Sequence, residues 1–303
     1  MALSPRVSST TKVLKNLILT VQQLYPTALA DKTWDNTGLL LDSPPLASTT
    51  EAKLANVLLT IDLTTSVVDE ALQKKALLIV AYHPIIFRPL KSLSMSNTQQ
   101  RSLIRLAQAG ISVYSPHTAV DAQVGGMNDW LARIAVGDDE EFIDSAIIEP
   151  NASAPETGFG RLVNVAKLQL TLDQIVKNVK IGLNLKHVQV AIADRHRDIE
   201  TASIKNIAIC AGSGGSVLSK TEADLWFTGE LSHHEVLAIK ERGISAIICG
   251  HTNTERGYLT STFAPNFLEQ IQLNKQINGM DYFEDYKVEV IISKEDKDPL
   301  VTL

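Results

Sequence analysis

Two histidines in this sequence are each followed, four residues later, by a carboxylate. His117 precedes Asp121 in SPHTAVD, and His251 precedes Glu255 in GHTNTE. At the start of a helix this spacing places both side chains on one face, with Cβ atoms ~5–6 Å apart. Each pair could form a surface ion pair or supply two ligands to a metal ion. Imidazole and carboxylate without thiolate suit Zn, Fe, Mn, Co or Ni, and the sequence does not select among them.

Further polar residues follow apolar segments that are typical of strands. Tyr82 and His83 follow LLIVA, and Glu230, His233 and His234 follow DLWF. Ligands of doubly wound α/β folds bind beyond the carboxyl ends of the strands. These positions therefore favour a functional site.

The segment CAGSGGSV places glycines between a predicted strand and a predicted helix, at Gly212, Gly214 and Gly215. Backbone N–H groups at a helix start can bind a phosphate. The spacing matches neither GxGxxG nor the Walker A motif, so a tight turn that packs helix on strand is the alternative.

Other polar residues have local explanations. Asp35 and Asn36 in WDNTGLLLD could cap or turn the chain locally. Asp62 could cap the helix that begins at TTSVV. His187 and His196 lie away from the clusters, and we expect both on the surface.

The predicted elements alternate. From residue 56 to 117 the pattern is β-α-β-α-β, and the same order returns after residue 203, followed by a helix from about Asn253 to Gln270 and a strand in YKVEVIIS. Apolar runs without alternation are typical of parallel strands covered on both faces. We expect two α/β lobes with doubly wound sheets, covering 1–136 and 161–303, joined by a linker or surface loop at 137–160.

The composition excludes several classes of protein. A net charge of -6 gives no broad attraction to nucleic acid or anionic membranes, and the 45% hydrophobic content is ordinary for a globular chain. No run reaches the roughly 18 apolar residues that a spanning helix needs. Cys210 and Cys249 lie in apolar segments, as the core cysteines of a protein in a reducing compartment do. The N-terminus has no acid before Asp31, as in a mitochondrial presequence, but Leu14, Leu17, Val21 and Leu24 recur at helical spacing and predict the first helix of the fold. We therefore expect a cytoplasmic protein, with the mitochondrion as the alternative.

Together these motifs resemble one family, the NIF-three-like proteins (NGG-one-interacting factor three), whose bacterial members are catalogued as GTP cyclohydrolase I type 2 homologues. The resemblance extends from Leu14 to the terminal DKDPL. The matching segments, in order, are WDNTGLLL, LLTIDLT, AYHPIIFRPLK, VYSPHTAVDA, AGSGGS, TGELSHHEVL and GHTNTERGYL.

The resemblance implies two α/β lobes with a dinuclear metal site in the cleft between them. The ligands it implies are His83, Asp121, His251 and Glu255, with His117 nearby. Bacterial members have two consecutive histidines where this chain has Tyr82-His83. The Tyr-His pair is a feature of the eukaryotic branch of the family. A phenol with a pKa of ~10 is a poorer ligand than imidazole at neutral pH, so Tyr82 should weaken the binding of one of the two metal ions. One or two ions per chain are therefore expected.

Two functions are consistent with these residues. The first is metal-dependent hydrolysis of a nucleotide or phosphate-containing molecule, in which the residues expected to act catalytically are His117, Glu255, His233 and His234. The second is a metal-binding interaction protein that contacts a transcriptional adaptor without turnover. The resemblance also implies a homo-oligomer, either a dimer or a ring-shaped hexamer, and neither direct nucleic acid binding nor membrane attachment is expected.

Overall fold

A computed structural model of the chain describes residues 9–45, 53–137, 144–277 and 286–301. The chain forms two compact units, and each contains strands and helices. The units are Met1–Ala119 with Leu259–Lys297, and Val120–Tyr258 with Asp298–Leu303. The expected fold of two α/β lobes is confirmed.

The regular elements follow one another along the chain in a largely alternating order. They are α1 (Ser9–Leu24), β1 (Gly38–Leu41), β2 (Leu54–Thr60), α2 (Thr65–Gln73), β3 (Ala76–Ala81), α3 (Thr98–Gln108), β4 (Ser112–Ser115), α4 (Thr118–Ala122), α5 (Met127–Val136), β5 (Asp144–Asn151), β6 (Ala154–Asn164), α6 (Leu172–Gly182), β7 (Gln189–Ala191), β8 (Asn206–Cys210), α7 (Gly215–Leu218), β9 (Leu225–Thr228), α8 (His233–Glu241), β10 (Ser245–Ile248), α9 (Arg256–Tyr258), α10 (Ala264–Ile277) and β11 (Lys287–Ile292). Short 3₁₀ turns and one π turn, Leu259–Phe263, connect some of them.

The sheet of the first unit has the strand order β1-β4-β3-β2-β11. Strands β4, β3, β2 and β11 pair in parallel, and β1 is antiparallel to β4. Every residue of β3 is buried, which explains why ALLIVA shows no alternation of apolar and polar residues. The β-α-β-α-β order predicted for this region is confirmed.

The sheet of the second unit has the strand order β5-β6-β8-β9-β10-β7. The three central strands β8, β9 and β10 are parallel, as the predicted repeat of the alternating pattern requires. The outer pairs are antiparallel. Ala208, Trp226 and Ala246 of these central strands pack with the apolar faces of neighbouring helices in a buried core.

Side-chain caps fix where several helices begin. Thr64, rather than Asp62, accepts the capping hydrogen bond at the start of α2, and Asn97 does the same for α3. Ser232 and Glu235 form a capping box at the start of α8. Among the described residues, no helix combines the length and apolar character needed to cross a membrane.

The segment predicted to be a linker is instead largely a β-hairpin. Residues 144–164 form β5 and β6, whereas 138–143 lie outside the described residues. The Pro, Ser and Gly content misled the prediction, because edge strands tolerate these residues. Pro150 lies on the edge strand β5 opposite Gly158, which has a φ of 149°.

The C-terminal part of the chain returns to the first unit. The helix predicted from Asn253 is a succession of 3₁₀, α and π turns that continues into α10 and ends at Ile277. Strand β11 pairs in parallel with β2, although the sequence pattern predicted that residues 161–303 form the second lobe. Periodicity identifies a strand but not its partner, so it could not show that the units are discontinuous.

Candidate functional site

His83 follows β3, and its ring is held by Asp62, which follows β2. The backbone amides of Tyr82 and His83 donate to the carbonyls of Thr60 and Ile61 at 2.9 and 3.0 Å. The parallel pairing of β2 and β3 therefore continues past both strand ends. It brings Nδ1 of His83 to 2.9 Å from Oδ1 of Asp62.

His117 follows β4 and is held by a more deeply buried carboxylate. Its Nδ1 lies 2.7 Å from Oδ1 of Asp35, whose side chain is 0% exposed. Burial opposes ionisation of Asp35, but hydrogen bonds and the charge of His117, together with bonds from Thr118 and Asn36, lower its pKa overall. His117 has a φ of 33°, an uncommon conformation for a residue other than glycine that often marks functional positions.

The rings after β3 and β4 are in contact within the first unit. The centroid of His117 lies 5.3 Å from that of Tyr82 and 5.4 Å from that of His83. Tyr82 is only 4% exposed, so its ring packs beneath the histidines rather than extending into solvent. Hydrogen bonds and ring packing thus restrict the orientation of both imidazoles.

In the second unit, His251 lies between two glutamates. Its Nδ1 is 2.9 Å from Oε1 of Glu230, and its Nε2 is 3.4 Å from Oε1 of Glu255. Glu255 is 1% exposed, whereas the side chain of Glu230 is 54% exposed. The His251–Glu255 contact is therefore not an exposed surface pair, which was one of the two interpretations that the spacing allowed.

Gly212 provides the space in which His251 and Glu255 meet. A Cβ atom at this position would lie 2.8 Å from both Nε2 of His251 and Oε1 of Glu255, and its φ is 60°. The amide of Gly212 donates to Oγ1 of Thr254 at 2.9 Å, which ties the turn to the His251–Glu255 segment. Only glycine meets both the conformational and the spatial requirement here.

The other two glycines favour the tight-turn interpretation over phosphate binding. The amide of Gly214 donates to Oγ1 of Thr228 at 3.1 Å, so the amides of Gly212 and Gly214 both have partners inside the protein. A Cβ at Gly215 would lie 2.1 Å from a carboxylate oxygen of Glu235, whose charge would repel a phosphate. Helix α7 has only 4 residues, so its N-terminal dipole is small.

The pairs His83–Asp62 and His251–Glu230 are built in the same way. Each carboxylate occupies a Thr-x-acid-Leu sequence after one strand, and the histidine follows the next parallel strand 21 residues later. The sequence motifs identify both histidines but not the roles of Asp62, Glu230 and Asp35. The repeated Thr-x-acid-Leu sequence at the same distance from a histidine is the signal that could have identified the first two.

Asp121 and the two adjacent histidines His233 and His234 are the other predicted site residues of the helices. Asp121 is half-buried in α4, and its backbone carbonyl accepts a hydrogen bond from Asn128 at 3.0 Å. Burial raises the pKa of Cys210, and the charges of Asp121 and Glu255 raise it further, so both carboxylates lie near this thiol. His233 and His234 are exposed in the first turn of α8, with ring centroids 5.4 Å apart.

His196 and the two cysteines are further side chains that could take part in chemistry. His196 is 4% exposed and its Nδ1 lies 2.9 Å from Oγ of Ser245, so the expectation of a surface histidine is wrong. Its burial beside the sheet could not be read from the polar segment that surrounds it. Both cysteines are free, and burial raises the pKa of Cys249 to about 12, as expected for an unreactive thiol.

A family profile matches nearly the whole chain. The profile of the Duf34/NIF3 (NGG1p interacting factor 3) family matches residues 13–299. The chain belongs to the Duf34/NIF3 family. It is 45% identical to the protein NIF3 homolog of Schizosaccharomyces pombe, over 93% of this chain and 95% of that protein. Identity to the NGG1-interacting factor 3 of Saccharomyces cerevisiae is 43%, over 95% and 96% of the two chains.

Solved structures support the fold of this Duf34/NIF3 chain. The crystal structure of a Bacillus cereus protein related to NIF3 covers 95% of this chain and 98% of its own, with a TM-score of 0.72. The identity is 18%, so the comparison concerns the fold alone. The resemblance inferred from the motifs is thus confirmed for the family, and the roles of individual residues stay predictions.

Proposed function

We propose that this Duf34/NIF3 protein binds a divalent cation and acts as a metal-dependent hydrolase. The ligands in this proposal are His251 and Glu255 of the second unit, with His83 of the first unit as a further proposed ligand, and they offer imidazole and carboxylate donors. The observation that carries the proposal is the 3.4 Å separation of His251 Nε2 and Glu255 Oε1. Two donors about 2.0–2.2 Å from one tetrahedral ion are separated by about this distance.

The carboxylates behind the histidines support a metal-binding role. Asp62 and Glu230 each accept at Nδ1 of a histidine, which favours the tautomer whose Nε2 lone pair can bind a cation. Metal-binding histidines commonly have such a carboxylate partner, whereas a histidine that serves only as a surface residue does not require one. Gly212 leaves the space that Nε2 of His251 and the carboxylate of Glu255 occupy.

A bound divalent cation would supply Lewis acidity, which makes water a better nucleophile near neutral pH and polarises the bond under attack. His117, oriented by Asp35, is the proposed proton acceptor, with the exposed His233 and His234 as further candidates. Asp121 and the buried phenol of Tyr82 are the proposed additional ligands. Because a phenol is a weak ligand at neutral pH, the second ion should bind less tightly.

Metal content per chain tests the proposal. Tag-free protein would be analysed by elemental analysis beside His251→Ala, with the exposed His187→Ala as a matched control. We expect metal in the wild type and the control, and its loss in His251→Ala with the fold retained by circular dichroism. Equal metal content in His251→Ala would contradict the proposal. Metal-dependent turnover of a nucleotide or phosphoester that is lost in Glu255→Ala would extend it to catalysis.

A second candidate function is a metal-binding interaction protein without turnover. The observation that favours it is the name of the Saccharomyces cerevisiae relative, NGG1-interacting factor 3. On this view our protein would contact a transcriptional adaptor. Tight metal binding with no turnover across a broad nucleotide and phosphoester panel would favour it over hydrolysis. The homo-oligomer and the cytoplasmic or mitochondrial location stay predictions.

A further inference from the structure

Two aromatic rings are exposed beside the His117 site of the first unit. Trp34 is 52% exposed and Phe87 is 46% exposed, and their ring centroids lie 6.0 Å apart. The other two tryptophans, Trp130 and Trp226, are 7% and 2% exposed. Exposing two large neighbouring rings costs hydrophobic free energy, so a function that needs them on the surface is the natural explanation.

Hydrogen bonds hold the backbone that carries the two rings. The side-chain amide of Asn36 donates to the carbonyl of Ile86, which links the Trp34 segment to the Phe87 segment. The backbone amide of Asp31 donates to Oγ1 of Thr118 at 3.0 Å. Both rings therefore lie on segments fixed in place before any ligand arrives, which lowers the entropic cost of binding.

The rings also continue directly into the site. The centroid of Trp34 lies 5.8 Å from that of His117 at an interplanar angle of 84°, and His117 lies 5.4 Å from His83. The rings of His117 and Trp34 are nearly perpendicular, so the imidazole does not stack flat on either face of Trp34, and Trp34 and Phe87 remain 52% and 46% exposed. A ligand that lies on these faces would carry its substituents toward His117 and His83.

We infer that Trp34 and Phe87 form a stacking surface for the planar heteroaromatic ring of the substrate. Aromatic side chains bind such rings through their faces with little dependence on the identity of the ring, so the surface selects planarity and leaves the reacting group to the histidines. This inference rests on the proposed function, because it names the substrate class of the same site. The competing occupant, a second copy of the chain, is an outcome of the test.

Binding of AMP to chelator-treated protein tests the inference, with ribose 5-phosphate as the probe that lacks the ring. The variants are Trp34→Leu and Phe87→Leu, and Leu19→Ala removes an equally exposed apolar side chain from α1 as the control. Equilibrium dialysis gives the affinity of every variant. In wild type and Phe87→Leu, the change of tryptophan fluorescence on addition of AMP also reports on Trp34, because Trp34 is exposed and the other two tryptophans are buried.

We expect AMP to bind more tightly than ribose 5-phosphate, and Trp34→Leu to weaken AMP binding about tenfold. Phe87→Leu should have a smaller effect, and Leu19→Ala none. Equal AMP affinity in wild type and Trp34→Leu, or no AMP binding by the wild type, would overturn the inference. So would a change of molecular mass by light scattering in both ring variants, because it would assign the surface to contacts between copies.

Metal content, measured on the same preparations before the chelator treatment, separates this inference from the proposed function. Metal retained in Trp34→Leu together with weakened AMP binding supports both. Metal retained with unchanged AMP binding overturns only the stacking surface. Absence of metal from the wild type removes the proposed function even where AMP binds to Trp34.

Discussion

The β2-α2-β3 and β9-α8-β10 segments use one scaffold for different purposes. Both place a carboxylate after the first strand and a histidine after the second, with the same 21-residue separation. Four residues beyond the histidine, however, the first segment has the exposed Phe87 and the second has the buried Glu255. The shared part orients an imidazole, and the position four residues later carries an exposed ring in one segment and a buried carboxylate in the other.

The two units also differ in how they restrain their histidines. The first adds the buried His117–Asp35 pair and packs its rings together, whereas the second crowds His251 and Glu255 against Gly212. Beyond the His–carboxylate contact that both units share, the first unit therefore adds a buried hydrogen bond and ring packing, and the second adds steric crowding. This difference can be tested through the free energy of unfolding.

The largest loss of stability is expected from Asp35→Ala. The change leaves His117 and Thr118 without their buried acceptor, and breaking a buried pair of this kind costs on the order of 3 kcal/mol. Urea denaturation measures the effect, and Asp35→Asn, which keeps the shape, should lose less. A loss of stability in Asp35→Asn as large as in Asp35→Ala would contradict this order and show that the charge alone, not the shape of the side chain, carries the stabilisation.

Gly212→Ala should have the next largest effect. The added Cβ meets His251 and Glu255 at 2.8 Å, and an alanine at positive φ is strained by about 1–2 kcal/mol in addition. Gly125→Ala is the matched control, because its φ is 72° and nothing lies within 4 Å of its Cβ. Only Gly212→Ala should also lose metal. Equal stability of the two variants would remove the steric part of the comparison.

The pH dependence of stability should separate the Asp35 pair from the rest of the protein. The folded-state pKa of Asp35 is lowered below 3.8, so the unfolded chain binds its proton more readily. The stabilisation is present above the unfolded-state pKa and is lost as pH falls through the folded-state pKa. Unfolding free energies measured from neutral pH to below 3.8 should fall less steeply in Asp35→Asn than in wild type.

The smallest effects on stability are expected for the repeated carboxylates. Asp62 and Glu230 have side chains that are 32% and 54% exposed, and such pairs contribute about 0–1 kcal/mol. Asp62→Ala should therefore cost slightly more than Glu230→Ala in urea denaturation. Both should nevertheless weaken metal binding about 10- to 100-fold, because they orient the ligands. Unchanged metal affinity in either variant would show that its carboxylate does not serve this purpose.

The sequence predicted the parts of the fold that depend on local pattern. The buried strands β2, β3 and β4 and the helices between them follow from the predicted β-α-β-α-β order, and the structure agrees with them, although Thr64 rather than Asp62 caps α2. The β5-β6 hairpin and the pairing of β11 with β2 were missed. Both depend on which strand edge is available in three dimensions, which composition and periodicity do not encode.

The candidate site divides in the same way. Histidine and carboxylate at helical spacing identified His251 and Glu255, which the structure places 3.4 Å apart. The partners of the histidines were harder to identify, since Asp35 precedes His117 by 82 residues. The crowding at Gly212 depends on the approach of two separate segments, so the glycine spacing alone left both phosphate binding and a tight turn open.

The pairing of β11 with β2 also affects the order in which the protein can form on the ribosome. The second unit is almost continuous in sequence, whereas the first needs Leu259–Lys297 to complete its sheet. During synthesis from the N-terminus, the edge of β2 therefore stays unpaired until β11 has been synthesised, and by then most of the second unit has already emerged. An unpaired strand edge can associate with other chains in that interval. The time taken to translate the segment through β11 therefore determines how long the edge of β2 is exposed to such association.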